Sequence, residues 1–323
     1  MNNYRRLVLF AFCVVAVATS GFAAGGKEET KYPSKTIQII APTRAGGATD
    51  ASARIVAQYL QDSLKSPVVV VNQDGGGGSV GSETVRNADP DGYKLLYNHT
   101  MLHCNHHSGK YEYSFKDFLP IATMAHVSQT IAVRADAPWN TLDDLVKDAM
   151  SNPGKIVLGV QFGSVSNFVA GTLMAVTGAE FKLVDSGGEA EKLAALQGKH
   201  LDVIQATVGA AQQYVKANKM KVLAVVSPER DSLTPEFPTA IEQGYNVSLP
   251  TMHTLYGPKN LPENVVNTLH KAFSKMGEDQ DFLARLNKAG QNYVYRDFAA
   301  SRKFVEDEDA VIKGVAQKLG MKK

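Results

Sequence analysis

Cysteine is nearly absent: the 323 residues hold two, Cys13 and Cys104. Cys13 falls in an N-terminal segment that reads as removable. The mature chain then keeps Cys104 alone, which excludes an intramolecular disulfide. An excess of charge of either sign is also missing. The 34 basic side chains fall to 32 once Arg5 and Arg6 are removed, matching the 32 acidic ones. A formally neutral protein gives no global attraction to nucleic acid or to an anionic membrane. There is no internal repeat, and no low-complexity segment beyond the four glycines at 75–78. The signatures G-x-x-x-x-G-K-[ST] and H-E-x-x-H are absent, and the glycines after the first apolar run are spaced G-G-x-x-D rather than the G-x-G-x-x-G of a dinucleotide turn.

What is present begins with an export signal. Arg5 and Arg6 precede "LVLFAFCVVAVATSGFA", and Gly21 and Ala23 suit the −3 and −1 positions of a cleavage site. The apolar part is short of the ~20 residues a membrane span needs. Residues 1–23 are therefore expected to be a signal peptide, and Phe12 before Cys13 argues against lipidation. Export without disulfides fits a bacterial periplasm. Roughly 300 mature residues exceed a usual single core, which favours two domains.

Strand-like and helix-like segments then alternate. "TIQIIAP" reads as a strand, followed by a helix with Ala53, Val56, Ala57, Leu60 and Leu64 on one face. "PVVVVN" reads as a strand buried on both faces. "YKLLYN", "KIVLGVQF", "FKLVD", "LDVIQA" and "KVLAVVS" are further strands, with helices around 189–198 and 209–217. Thr141 with Asp144 forms a capping-box start. Near the C-terminus Phe298, Val305, Ile312 and Leu319 recur on a helix. The alternation predicts an α/β fold with mostly parallel sheets.

In such sheets ligands sit beyond strand carboxyl ends, where helices begin. Three strand–Gly–helix junctions qualify. "APTRAGGATDASAR" supplies Thr43, Arg44, Ala45, Gly46, Gly47 and Asp50. "QFGSVSN" supplies Gly163, Ser164, Ser166 and Asn167. "DSGGEAEKLAAL" supplies Gly187. Free amides at a helix start favour an anion. Asp50 disfavours a dianionic phosphate if it faces the ligand, but can instead organise its loop. An inward Arg44 pairs with a second carboxylate; the alternative is a solvated arginine at a loop tip. A tight turn without a ligand is the alternative for the whole stretch.

The chain resembles the extracytoplasmic solute receptors of tripartite tricarboxylate transporters, the Bug family. "YPSKTIQIIAPTRAGGATDASARIVAQYL" follows the family's Y-P-x-K-x-I-x-x-I-x-P-x-x-x-G-G-x-x-D-x-x-A-R pattern. "PVVVVNQDGGGGSVGSETVRNADPDGYKLL", "FKDFLPIA", "APWNTLDDL", "NPGKI", "LAVVSPERDSLTPEFPTAIEQGYNV" and "LYGPKNLP" fall in the family's order, so the match runs from Tyr32 to about Phe304. The resemblance implies a type II periplasmic-binding-protein fold, with two α/β domains closing on a carboxylate. Domain one is expected over 32–127 plus 250–323 and domain two over 128–249. The resemblance places Ala45, Gly46, Gly47 and Asp50 in the first binding loop and Gly163, Ser164, Ser166 and Asn167 in the second. It implies a monomeric periplasmic receptor with no cofactor, no metal and no catalytic residue, working with inner-membrane transporter subunits. The ligand class is a di- or tricarboxylate or an acidic amino acid. This chain departs from the family at Thr43, Arg44 and Asn167, at Asp185 to Gly188, and at Ala206 and Thr207, all in expected pocket loops.

"HTMLHCNHH" brings His99, His103, Cys104, His106 and His107 together, a composition suited to zinc. The family has a loop and no metal there, so surface histidines, or one histidine lining the pocket, are expected. A sensor feeding a membrane kinase or chemoreceptor, and a hydrolase using Ser164 or Ser166, are the competing functions.

Overall fold

The computed structural model describes residues 32–321; the expected signal segment 1–23, with Cys13, lies outside them. The chain folds into two α/β lobes, each built on one mixed sheet. In the first, β1 (Ile37–Ala41) pairs in parallel with β2 (Val68–Asn72) on one side and β3 (Lys94–His99) on the other. Helices α1 (Ala48–Leu64) and α2 (Ser79–Arg86) make the connections. Helix α1 buries Ala53, Val56, Ala57 and Leu60, the stripe its 3.6-residue spacing marks. After the seven-residue α3 (Met101–His107), β4 (Phe118–Val127) carries the chain through Ser128 into the second sheet as β5 (Gln129–Arg134).

The second lobe continues with α4 (Leu142–Ser151), β6 (Val157–Val160), α5 (Val165–Thr177), β7 (Lys182–Asp185), α6 (Glu189–Gln197), β8 (Val203–Thr207), α7 (Val208–Lys216) and β9 (Met220–Val225). The capping box of Thr141 and Asp144 starts α4 as its sequence predicts. The chain returns to the first sheet through β10 (Thr251–Pro258), then α8 (Glu263–Phe273), α9 (Gln280–Lys288), β11 (Asn292–Arg296) and α10 (Phe298–Lys318). The strand orders are β11-β4-β10-β3-β1-β2 and β7-β6-β8-β5-β9. Ile37, Ile39, Leu95, Leu255 and Phe273 centre the first core, and Leu142, Val160, Phe168, Leu173 and Val203 the second.

Three expectations need correction. The sheets are not mostly parallel: β10 runs antiparallel to β3 and β4, and β5 antiparallel to β8 and β9. Strands β3 and β8 end at the gap between the lobes. Strands β5 and β10 begin there, because they bring the chain across, and so must run the other way. The run "VVVV" is not buried on both faces. It forms the edge strand β2, and Val69 is 42% exposed. The segment after β3 is the helix α3 rather than a loop.

Helix α10 spans both lobes. Val305 packs with Tyr113, Phe118 and Tyr256, whereas Ile312 and Ala316 belong to the core that holds Phe168 and Leu173. Leu319, just beyond the helix, lies against Gly171 of α5, where an added Cβ would stand 2.5 Å from Leu319 Cδ1. Among the described residues no helix is long and apolar enough to cross a membrane.

Candidate functional site

A cavity of about 690 Å³ lies between the lobes, lined from both. Strands β1, β6 and β7 each end at it and hand over to a helix, so α1, α5 and α6 begin at its wall. Their N-cap residues, Gly47, Ser164 and Gly188, all line the cavity. Among the described residues no side chain caps any of the three. Helices α4, α7, α9 and α10 are capped by Thr141, Thr207, Asp279 and Asp297. Three helix starts with open amides thus converge on one space, and their dipoles favour negative charge there.

The first two loops share a local device. Gly46 has φ +89°, and its N–H donates to Asp50 Oδ2, four residues on, at 2.9 Å. Gly163 has φ +77°, and its N–H donates to Asn167 Oδ1, again four residues on, at 3.2 Å. In each loop a buried polar side chain of the helix's first turn folds back to hold the glycine. Asp50 and Asn167 therefore act behind the binding surface and are absent from the cavity lining. The left-handed backbone falls on Gly46 alone in the first loop. Gly47 is extended, with φ −83° and ψ 172°. Burial raises the pKa of Asp50, but the bonds from Gly46, Arg54 and Asn72 outweigh it and hold the carboxyl below its usual value.

Of the other sequence-predicted residues, Thr43, Arg44, Ala45, Gly46, Gly47, Ser164, Ser166, Gly187 and Thr207 line the cavity. Gly163 sits at the rim beneath Lys110, whose ammonium reaches across from the first lobe to the Phe162 carbonyl. Thr207 is engaged from within the protein: its N–H and hydroxyl donate to the Glu189 carboxylate at 2.6 and 3.2 Å. Arg44 does not point inward with a free guanidinium. It is 76% exposed at the cavity mouth, donating from Nε to Asp74 at 2.9 Å and from Nη1 to Glu191 of the second lobe at 2.7 Å. Exposed pairs of this kind contribute ~0–1 kcal/mol. Arg44→Ala is therefore expected to change the affinities for a dicarboxylate and for its monocarboxylate analogue alike, by less than about fivefold. Calorimetry on the two ligands checks this, and a selective loss of the dicarboxylate would contradict it.

The histidines of α3 are committed elsewhere. His103 is buried against α10, 3.1 Å from Asp309 and 3.3 Å from Glu308, and His107 meets Asp309 at 2.8 Å. His106 Nδ1 lies 2.7 Å from the Tyr113 carbonyl. No group of three metal-ligating side chains that could hold an ion occurs among the described residues. His99, at the end of β3, does line the cavity, beside His253 of β10. Burial pushes His99 down to about 4 and His253 well below its ordinary value, so both rings are neutral at physiological pH.

Sequence reasoning missed His253, Gln205 and Lys192. His253 and Gln205 are buried polar side chains within strands, which is itself a sign of a wall facing a ligand. Lys192 precedes Leu196 by four residues, which puts it on the buried face of α6.

Residues 52–321 match the family described as the tripartite tricarboxylate transporter family receptor. Protein BugT of Bordetella pertussis is 26% identical over 330 residues, covering 100% of this chain and 99% of its own. The solved periplasmic binding protein BugD is 28% identical, with TM-score 0.80 over 90% of this chain and 99% of its own. MatC of Rhodopseudomonas palustris, solved with bound malate, is 25% identical with TM-score 0.80, over 88% of this chain and 100% of its own.

Proposed function

The chain belongs to the tripartite tricarboxylate transporter receptor family, and from that premise we propose that it captures a small carboxylate between its lobes and delivers it to inner-membrane transporter subunits. Its relatives are periplasmic solute-binding receptors. The supporting observation is the convergence of α1, α5 and α6, with N-caps at Gly47, Ser164 and Gly188 and no side-chain cap, on one cavity. A carboxylate placed there accepts from open amides of both lobes at once, and so favours the closed arrangement over the open one. On this reading the lobes are 32–127 with 250–323 and 128–249, and the receptor acts as a monomer in the periplasm. The bound malate of MatC supports a small carboxylate as the ligand class.

Calorimetric titration with mono-, di- and tricarboxylates and acidic amino acids tests the proposal. One class is expected to bind in the micromolar range or tighter, which is about −8 kcal/mol. At a hundredfold excess over Kd it should stabilise the protein by about 2.7 kcal/mol, read as a rise in Tm. No ligand should be turned over. Absence of binding by every carboxylate, or conversion of one, would overturn the assignment.

A further inference from the structure

The polar groups around the cavity do not balance. Its acidic side chains are already matched. Asp74 and Glu191 receive Arg44, and both oxygens of Glu189 receive Thr207. Among the groups left without a full set of partners are two donors on adjacent elements of the second lobe. Lys192 of α6 is only 7% exposed and lines the cavity. Among the described residues its ammonium makes one hydrogen bond, to the Gln205 carbonyl at 2.8 Å, although it carries three N–H donors. Gln205 of β8 is 4% exposed and lines the same wall, and its Nε2 has no partner. A buried cation and a buried amide with open N–H groups are costly unless an acceptor arrives.

We propose that Lys192 and Gln205 form the subsite for a second anionic group of the ligand, and so select a dicarboxylate over the matching monocarboxylate. This rests on the carboxylate reading above. One carboxylate occupies the open amides at the helix starts, and the other reaches Lys192 Nζ and Gln205 Nε2. Arg44, held at the mouth by two protein carboxylates, has no part in it.

The charged surroundings of Lys192 fit this role. Burial lowers its pKa from 10.5 to about 8, against the raising influence of Glu189. Helix α6 packs on β8 and β5, and neither strand carries an acidic residue. The one ionisable group they bring is Arg134, at the end of β5 away from the cavity. An arriving anion favours the ammonium form. Dicarboxylate binding must therefore take up a proton once the free protein has lost one, and affinity must fall as pH rises through about 8.

The test measures affinities of α,ω-dicarboxylates of four to eight carbons and of the monocarboxylates of equal length. For the best-fitting length, wild type is expected to prefer the dicarboxylate. Lys192→Met should weaken the dicarboxylate by roughly 10- to 100-fold, the range for a charged hydrogen bond, and leave the monocarboxylate unchanged. In wild type, dicarboxylate affinity should drop by roughly tenfold per pH unit above about 8. The monocarboxylate should show no such slope. This profile needs no variant, so poor folding of Lys192→Met would not spare the proposal. Equal losses for both ligands, or a flat dicarboxylate profile, would overturn the subsite while leaving the carboxylate reading intact. If wild type binds neither ligand class, the carboxylate reading fails first and the subsite with it.

Discussion

Gly47→Val is expected to abolish ligand binding while leaving the protein folded. At φ −83° and ψ 172° the backbone at Gly47 is one that valine adopts readily. An added Cβ meets nothing nearer than the Arg44 carbonyl, at 3.9 Å. The branched side chain therefore enters the cavity rather than the core. There it stands over the amides that open α1, where a carboxylate would accept. Losing one of three converging helix starts, and the volume beside it, should weaken binding by more than about a hundredfold, or ~3 kcal/mol. Replacing an N-cap glycine by a β-branched residue costs about 1 kcal/mol of stability. Gly46→Val gives the contrast. Its backbone at φ +89° lies in the left-handed region, so valine there strains the loop itself and lowers stability as well as affinity. Calorimetry and thermal melts on the two variants separate obstruction from strain. Unchanged affinity in Gly47→Val would remove the first loop from the site.

Asp50→Ala should destabilise the protein by roughly 2–4 kcal/mol, since it strips the acceptor from a buried charged network. The carboxylate takes the Gly46 N–H and the Arg54 Nε through Oδ2, and the Asn72 amide at 2.9 Å through Oδ1. Half-exposed Arg54 finds water when the carboxylate is gone; the Gly46 N–H and the Asn72 amide lose a buried partner. The contribution depends on pH in a defined direction. The folded carboxyl is held below its unfolded value, so its stabilisation is complete above the unfolded pKa of ~4 and is lost as pH falls through the lower folded value. The gap between wild type and Asp50→Ala in urea titrations should therefore narrow below pH ~4. A gap that persists undiminished in acid would show that the carboxylate charge contributes nothing. Because Asp50 fixes the Gly46 turn, ligand affinity should fall as well, even though Asp50 is absent from the cavity lining.

Much of this was legible in the chain wherever the signal is local. The stripe Ala53, Val56, Ala57, Leu60 defines α1, and Thr141 with Asp144 starts α4 within a single turn. The Gly46 and Gly163 loops are marked by glycine and by strand-to-helix placement. What depends on distant neighbours was not legible. "VVVV" declares a strand, but nothing within four residues says that β2 has a partner on one side only. The directions of β5 and β10 follow from which lobe the chain has just left. Arg44 reads either as a ligand group or as a solvated loop tip until Asp74 and Glu191 are brought to it from 30 and 147 residues away. Lys192 was hidden by its acidic neighbours Glu189 and Glu191, which make α6 look like a solvated helix. In the fold those carboxylates turn to Thr207 and Arg44, and the lysine is left facing the cavity wall.

Helix α10 bears on how long a captured molecule stays. It is rooted beside Tyr113 and Tyr256 at one end and wedged against Phe168 and Leu173 at the other. If the lobes separate there, Ile312 and Ala316 are drawn out of an apolar core, and full exposure of an isoleucine alone is unfavourable by about 1.5–3 kcal/mol. That contribution belongs to the protein and adds to whatever contacts a ligand makes with both lobes. Where escape waits on this separation, α10 lengthens the stay of every ligand by a common factor, and the differences between ligands remain in the contacts each one must break.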